Sequence, residues 1–146
     1  MLDPVARHDF MATVLTAAAD DGVSVVLSSH VLAELERVAD YLILLSRGQV
    51  QIAGEVDGLL AAHRLLTGPA AEADRYAQWP VVHVRRGGAR AHLLVRATAD
   101  DPVPAGWEAH PVGLEELTLA YLREPGAGAL PGPARGRSTQ TSEVTR

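Results

Sequence analysis

The side chains of this sequence best placed to do chemistry are a few of its six histidines, together with the hydroxyls and carboxylates beside them. His30 closes the run Ser28-Ser29-His30 and has Glu34 four residues on. An imidazole in such a place can carry a proton or contact an anion. Ser28 and Ser29 also raise a serine nucleophile. Adjacent residues on an extended chain point to opposite faces, however, and no Gly-x-Ser-x-Gly elbow is present, so hydrolase chemistry of that kind is not expected. A second arrangement joins His83 and His92, which face each other across a hairpin if its turn centres on Gly87-Gly88. Two ligands do not close a zinc site, and these strands offer no third at ligand spacing, so no metal is expected. Glu34, Glu36 and Asp40 read as a solvated helix face and its end, with Glu34 within reach of His30.

The elements that must hold His30 are a strand before it and a helix after it. Val23-Ser24-Val25-Val26-Leu27 is a β-branched run between Gly22 and the serines, the pattern of a buried strand. Val31, Leu32, Leu35, Val38 and Ala39 recur at helical spacing. His30 is thereby expected at the carboxyl end of a strand, where open α/β sheets bind ligands. Further upstream, Asp3 is a good N-cap and Pro4 a good first helical residue. The helix they open should run to about Ala19, with Phe10, Met11, Val14, Leu15 and Ala18 on one face and Gly22 as its left-handed stop.

Downstream, Tyr41 to Leu45 is almost continuously apolar, as in a strand covered on both faces. Arg47-Gly48 turns the chain into Gln49-Val50-Gln51-Ile52, whose alternation predicts an antiparallel partner with one wet face. Val56, Leu59 and Leu60, with His63 and Leu66 beyond, predict a short helix, and Thr67-Gly68-Pro69 begins a linker. Val81–Arg85 and Arg90–Val95 read as a hairpin, Trp107–His110 as a third strand, and Gly113–Leu122 as an amphipathic helix with acids near its start. From Pro125 to Arg146 apolar anchors are scarce, so a disordered tail is expected.

Composition narrows the classes. A chain of 146 residues with 47% hydrophobic content suffices for one domain and an appendage. No apolar run approaches a membrane span and no leader is visible, which points to the cytoplasm. A net charge of -5 gives no basic footprint for nucleic acid. All 13 basic residues are Arg, so the lysine of a Gly-x-x-x-x-Gly-Lys-Ser/Thr phosphate loop is missing from the whole chain.

The segment from Ser28 to Glu55 resembles the switch-histidine region of ATP-binding cassette (ABC) transporter ATPases. It contains Ser28-Ser29-His30, Glu34, Ala39-Asp40 before the strand Tyr41–Leu45, the Arg47-Gly48-Gln49 turn, and Gly54-Glu55. Leu2-Asp3-Pro4 is similar to the D-loop of the same family, and the layout of one helix and one strand between Asp3 and His30 matches it. The resemblance implies that His30 contacts the γ-phosphate and helps position the attacking water. It also implies that Leu2 and Asp3 lie where two nucleotide-binding domains meet. The later strands and the Leu114-Glu115-Glu116-Leu117 helix resemble the carboxy-terminal extension of exporter ATPases.

The expected fold is therefore α/β, a partial P-loop NTPase lacking its Walker-A half, followed by a small α+β extension. Residues 1–66 would be the end of a nucleotide-binding domain, 67–124 the extension and 125–146 the tail. In full length such a subunit uses ATP and Mg2+ and couples hydrolysis to export, with a membrane permease and a second nucleotide-binding domain as partners. It would sit in the cytoplasm, at the inner face of the membrane through the permease. This chain lacks the Walker-A, Walker-B and Leu-Ser-Gly-Gly-Gln motifs, so alone it is expected to bind neither cofactor and to be inactive. A gene shortened at its 5′ side or a start placed too late accounts for that. The alternative is a stand-alone, non-catalytic module that binds another nucleotide-binding domain or the permease.

Overall fold

A computed structural model describes residues 3–29, 31–124 and 126–127. The tail expected over 125–146 lies, but for Gly126 and Ala127, outside the described residues. The chain divides into two units, Met1–Val38 and Ala39–Arg146.

The first unit opens as its sequence predicts. Asp3 caps helix α1 (Pro4–Asp21), its Oδ1 accepting from the backbone N–H of Val5 at 2.7 Å and of Ala6 at 3.2 Å, and Gly22 ends it in the left-handed conformation. The apolar face of α1 buries no residue, and Phe10 and Leu15 stay exposed. Residues 23–27 are the main correction. They form no strand, and Val26 is 98% exposed. A β-branched run becomes a strand only when another backbone satisfies its N–H and C=O groups, and no strand is found among the described residues of this unit. The helix that follows is a single turn, α2 (Leu32–Leu35), much shorter than the spacing of apolar residues suggested.

The second unit starts with a hairpin of β1 (Tyr41–Ser46) and β2 (Gln49–Glu55). Ser46 pairs with Gln49, leaving Arg47 and Gly48 as a two-residue loop with both φ angles positive, at +52° and +73°. That is the loop whose twist matches antiparallel strands, and it favours glycine at the second position. A bulge at Leu44/Leu45 leaves Gln51 without a strand partner. Leu42 and Ile52 point inward and are buried, but Tyr41, Ile43 and Leu45 are exposed, so β1 is covered on one face rather than two. A two-stranded sheet with material on only one side leaves alternate residues of an apolar strand in water.

Helix α3 (Val56–Ala61) follows, and then β3 (Arg64–Pro69), a 3-10 helix (Ala70–Tyr76), β4 (Val81–Gly87), β5 (Arg90–Val95), β6 (Glu108–His110) and α4 (Leu114–Arg123). The second sheet has the order β4-β5-β3-β6, and every pairing in it is antiparallel. Thr67, Gly68 and Pro69, expected to begin a linker, are instead the second half of a central strand, paired with His92, Ala91 and Arg90. The boundary expected between residues 66 and 67 thus falls inside β3. One face of the sheet packs Leu66, Ala91, Leu93 and Val95 against Trp107 and Ala73, with Tyr76 and Trp79 alongside. The other carries Leu65 and Leu94 beneath α4, whose Leu114, Leu117 and Tyr121 are wholly buried.

The architecture is mixed α/β with two antiparallel sheets. The parallel sheet of a P-loop NTPase, expected from the resemblance, is not found among the described residues. No helix among them is long and apolar enough to cross a membrane.

Candidate functional site

Of the residues expected to carry function, Asp3 is seen and the other two are not. His30 and Leu2 lie outside the described residues. Asp3 is exposed and spends one carboxylate oxygen on the first turn of α1. Beside His30, the Ser29 Oγ accepts from the Val31 N–H at 3.0 Å, a local turn contact of the kind serine makes before a helix. The strand expected to lead up to His30 is absent over residues 23–27.

A nucleotide does not fit what is described. Holding its phosphates takes several converging backbone N–H groups and a cation, as in a phosphate loop with its lysine. The chain has no lysine, and the stretch leading to His30 is exposed and unpaired.

The histidine pair on the second hairpin is also rearranged. Gly87 pairs with Arg90, so the turn centres on Gly88-Ala89, and His92 stands opposite Arg85 while His83 stands opposite Leu94. The one-residue displacement keeps both imidazoles on the α4 face but sets them diagonally. His83 Nδ1 lies 2.9 Å from Glu124 Oε1, and His92 Nδ1 lies 3.1 Å from Thr67 Oγ1. Both line an open cleft of about 250 Å³ between this face and α4, with Arg85, Glu116 and Arg123 at its polar edge and Leu65, Leu94 and Leu119 as its apolar part. No three His, Asp or Glu side chains form a metal site among the described residues.

The arrangement that sequence reasoning missed is centred on His63. Placed above at the end of an apolar helix face, it is 4% exposed. Its Nδ1 lies 2.6 Å from the Leu59 carbonyl oxygen and its Nε2 2.7 Å from the Tyr121 hydroxyl, which accepts from Arg96 Nε at 2.9 Å. Burial pushes the His63 imidazole below its ordinary range, the Leu59 hydrogen bond opposes this in part, and Arg96 adds to the depression. Burial pushes the Tyr121 phenol up, against the pull of Arg96. The only trace in the sequence is a histidine at an apolar position; its partners lie far along the chain.

No protein-family model matches this chain. It is similar in part to the thiamine import ATP-binding protein ThiQ of Vibrio parahaemolyticus, 34% identical over 62 residues, which is 42% of this chain and 26% of that protein. An uncharacterized ABC transporter ATP-binding protein of Nostoc is 33% identical over 61 residues, 42% of this chain and 18% of that one. The phosphonates import ATP-binding protein PhnC of Maricaulis maris is 36% identical over 58 residues, 40% of this chain and 22% of its own length. The chain thus spans about a quarter or less of the relatives it matches. Over some two-fifths of its length, this sequence is related to the ATP-binding proteins of ABC transporters.

Proposed function

We propose that this chain is the carboxy-terminal part of the ATP-binding subunit of an ABC transporter. The part of the chain before β3 belongs to the nucleotide-binding domain, β3 to α4 to an accessory extension and residues 125–146 to a tail. The observation that carries this reading is the relatedness over 58 to 62 residues to three such proteins. Within it, His30 is the γ-phosphate contact, and Leu2 and Asp3 form part of the D-loop facing a second nucleotide-binding domain. The complete subunit uses ATP and Mg2+, works in the cytoplasm and reaches the membrane through a permease. The chain by itself holds neither cofactor, because the cradle for the phosphates is missing.

The resemblance of the strands after residue 80 and of the Leu-Glu-Glu-Leu helix to exporter extensions favours export. Two of the three relatives are import proteins by name, which favours the opposite direction. The reading adopted is transport without a direction.

The test begins with the DNA before the Met1 codon, which should encode Gly-x-x-x-x-Gly-Lys-Ser/Thr and Leu-Ser-Gly-Gly-Gln in the same or a shifted frame. Joined in frame to this chain, that segment should give Mg2+-dependent ATP turnover that falls about 10²-fold or more on His30→Ala, the loss typical of removing a group that contacts developing charge. Turnover indifferent to His30→Ala overturns the assigned role. Turnover by the present chain alone overturns the fragment reading.

A second reading, a stand-alone module that binds a nucleotide-binding domain or a permease, is favoured by one observation. Residues 39–127 have a core of their own, built on Leu93, Leu114, Leu117 and Tyr121, while residues 23–27 remain unpaired.

A further inference from the structure

His63 follows α3 and is committed through both ring nitrogens, in opposite senses. The Leu59 carbonyl oxygen, 2.6 Å from Nδ1, can only accept, so Nδ1 carries a hydrogen. Nε2 then holds a lone pair and accepts the Tyr121 O–H at 2.7 Å. The Tyr121 oxygen accepts in turn from Arg96 Nε–H at 2.9 Å. A directed chain runs from Arg96 through Tyr121 and His63 to Leu59, with the hydrogen of each bond assigned. It joins the segment after β5, α4 and α3, and only the neutral imidazole completes it.

We propose that this chain is a proton-operated latch that seats α4, and that protonation of His63 in mildly acidic solution releases that helix. A second hydrogen on Nε2 would aim two donors at the Tyr121 oxygen and leave the phenolic hydrogen without its acceptor. It would also set an imidazolium and a guanidinium on either side of one oxygen, with little water to screen them. Arg96 is the charged group set against His63. On the elements around it, Asp57 of α3, Glu55 of β2 and Glu115 and Arg123 of α4 are exposed to water, and Arg64 turns to the carbonyls of Thr98 and Asp101. At the same end of α4 as Tyr121, His83 and Glu124 form an ion pair only when His83 is protonated, so this contact works in the opposite sense. Unseating Tyr121 loosens a helix whose Leu114 and Leu117 are wholly buried, and moves the wall that Glu116, Ala120 and Arg123 give to the cleft.

The test is amide hydrogen exchange of the full chain by NMR, corrected for intrinsic rates, alongside titration of the His63 ring signals. Protection of the α4 amides should fall by up to about tenfold per pH unit below about pH 6.5, while β3 and β5 keep theirs. His63→Gln should remove the pH dependence, and His83→Gln should deepen the release in the unaltered latch. Should His63→Gln not fold, Arg96→Gln carries the test, because removing the facing cation should move the His63 midpoint upward. Protection of α4 that ignores pH, loss shared equally by the whole sheet, or a His63 midpoint unmoved by Arg96→Gln each overturn the proposal.

Discussion

The indole of Trp107 lies so close over Gly68 that a Cβ at residue 68 would stand 2.2 Å from a ring carbon. The glycine is in the middle of a paired strand and has no turn to make. Its role is to let a large ring lie against the backbone, where it meets Tyr76 edge-on with centroids 5.2 Å apart. Gly68→Ala should therefore cost about 1–3 kcal/mol, the range for forced overpacking, and should do so through Trp107. Urea unfolding followed by tryptophan fluorescence measures both. A variant as stable as the parent, with an unshifted emission maximum, contradicts the contact.

Tyr121 gives the stability curve an alkaline limb. Burial holds its native pKa above the unfolded value, so the native state keeps the proton longer. The contribution is complete below about pH 10 and is lost as pH rises through the native value. Tyr121→Phe should remove that limb and cost about 1–2 kcal/mol at neutral pH, since His63 Nε2 loses its donor in a buried place. Unfolding midpoints measured from neutral to alkaline pH in both proteins decide this.

Asp3 acts on α1 alone. Asp3→Ala removes the acceptor for two backbone N–H groups and should cost about 1 kcal/mol of helix stability. Both tryptophans, Trp79 and Trp107, lie in the second unit. Helical ellipticity should drop while tryptophan emission stays as it was, and a change confined to the emission would count against the cap.

On the hairpin, Tyr41, Ile43, Leu45 and Val50 are each more than half exposed. An uncovered apolar strand is a template for association, so the chain should self-associate with rising concentration. Ile43→Lys should weaken this with a stability change within about 0.5 kcal/mol, as for other exposed sites. Light scattering over a concentration series tests it; association unaffected by the lysine places the contact elsewhere.

What the sequence disclosed is what short-range chemistry decides. Asp3 and Gly22 bound α1, Arg47-Gly48 folds the first hairpin, and the spacing of Leu114, Leu117 and Tyr121 marks the buried side of α4. What it concealed depends on partners far along the chain. Arg64–Pro69 has neither alternation nor a turn at its start, and its Gly-Pro ending reads as a break; it is a strand because β5 and β6 flank it. Val23–Leu27 is the converse, with every strand-forming residue and no partner. His30, where the family resemblance is centred, has no described position.

The position of β3 between β5 and β6 also orders events during synthesis. The β1–β2 hairpin can close soon after Glu55 emerges, since all its pairs lie within one short stretch. Leu65 pairs with Leu94 on one side and His110 on the other, and Arg64 must wait for Val95 before it gains a partner. Until then β3 is an apolar segment with two open edges, and the chain is most vulnerable to misassociation at the ribosome between these two moments. A pause in translation after residue 69 would prolong that exposure, whereas one after residue 123, with all of α4 made, would not.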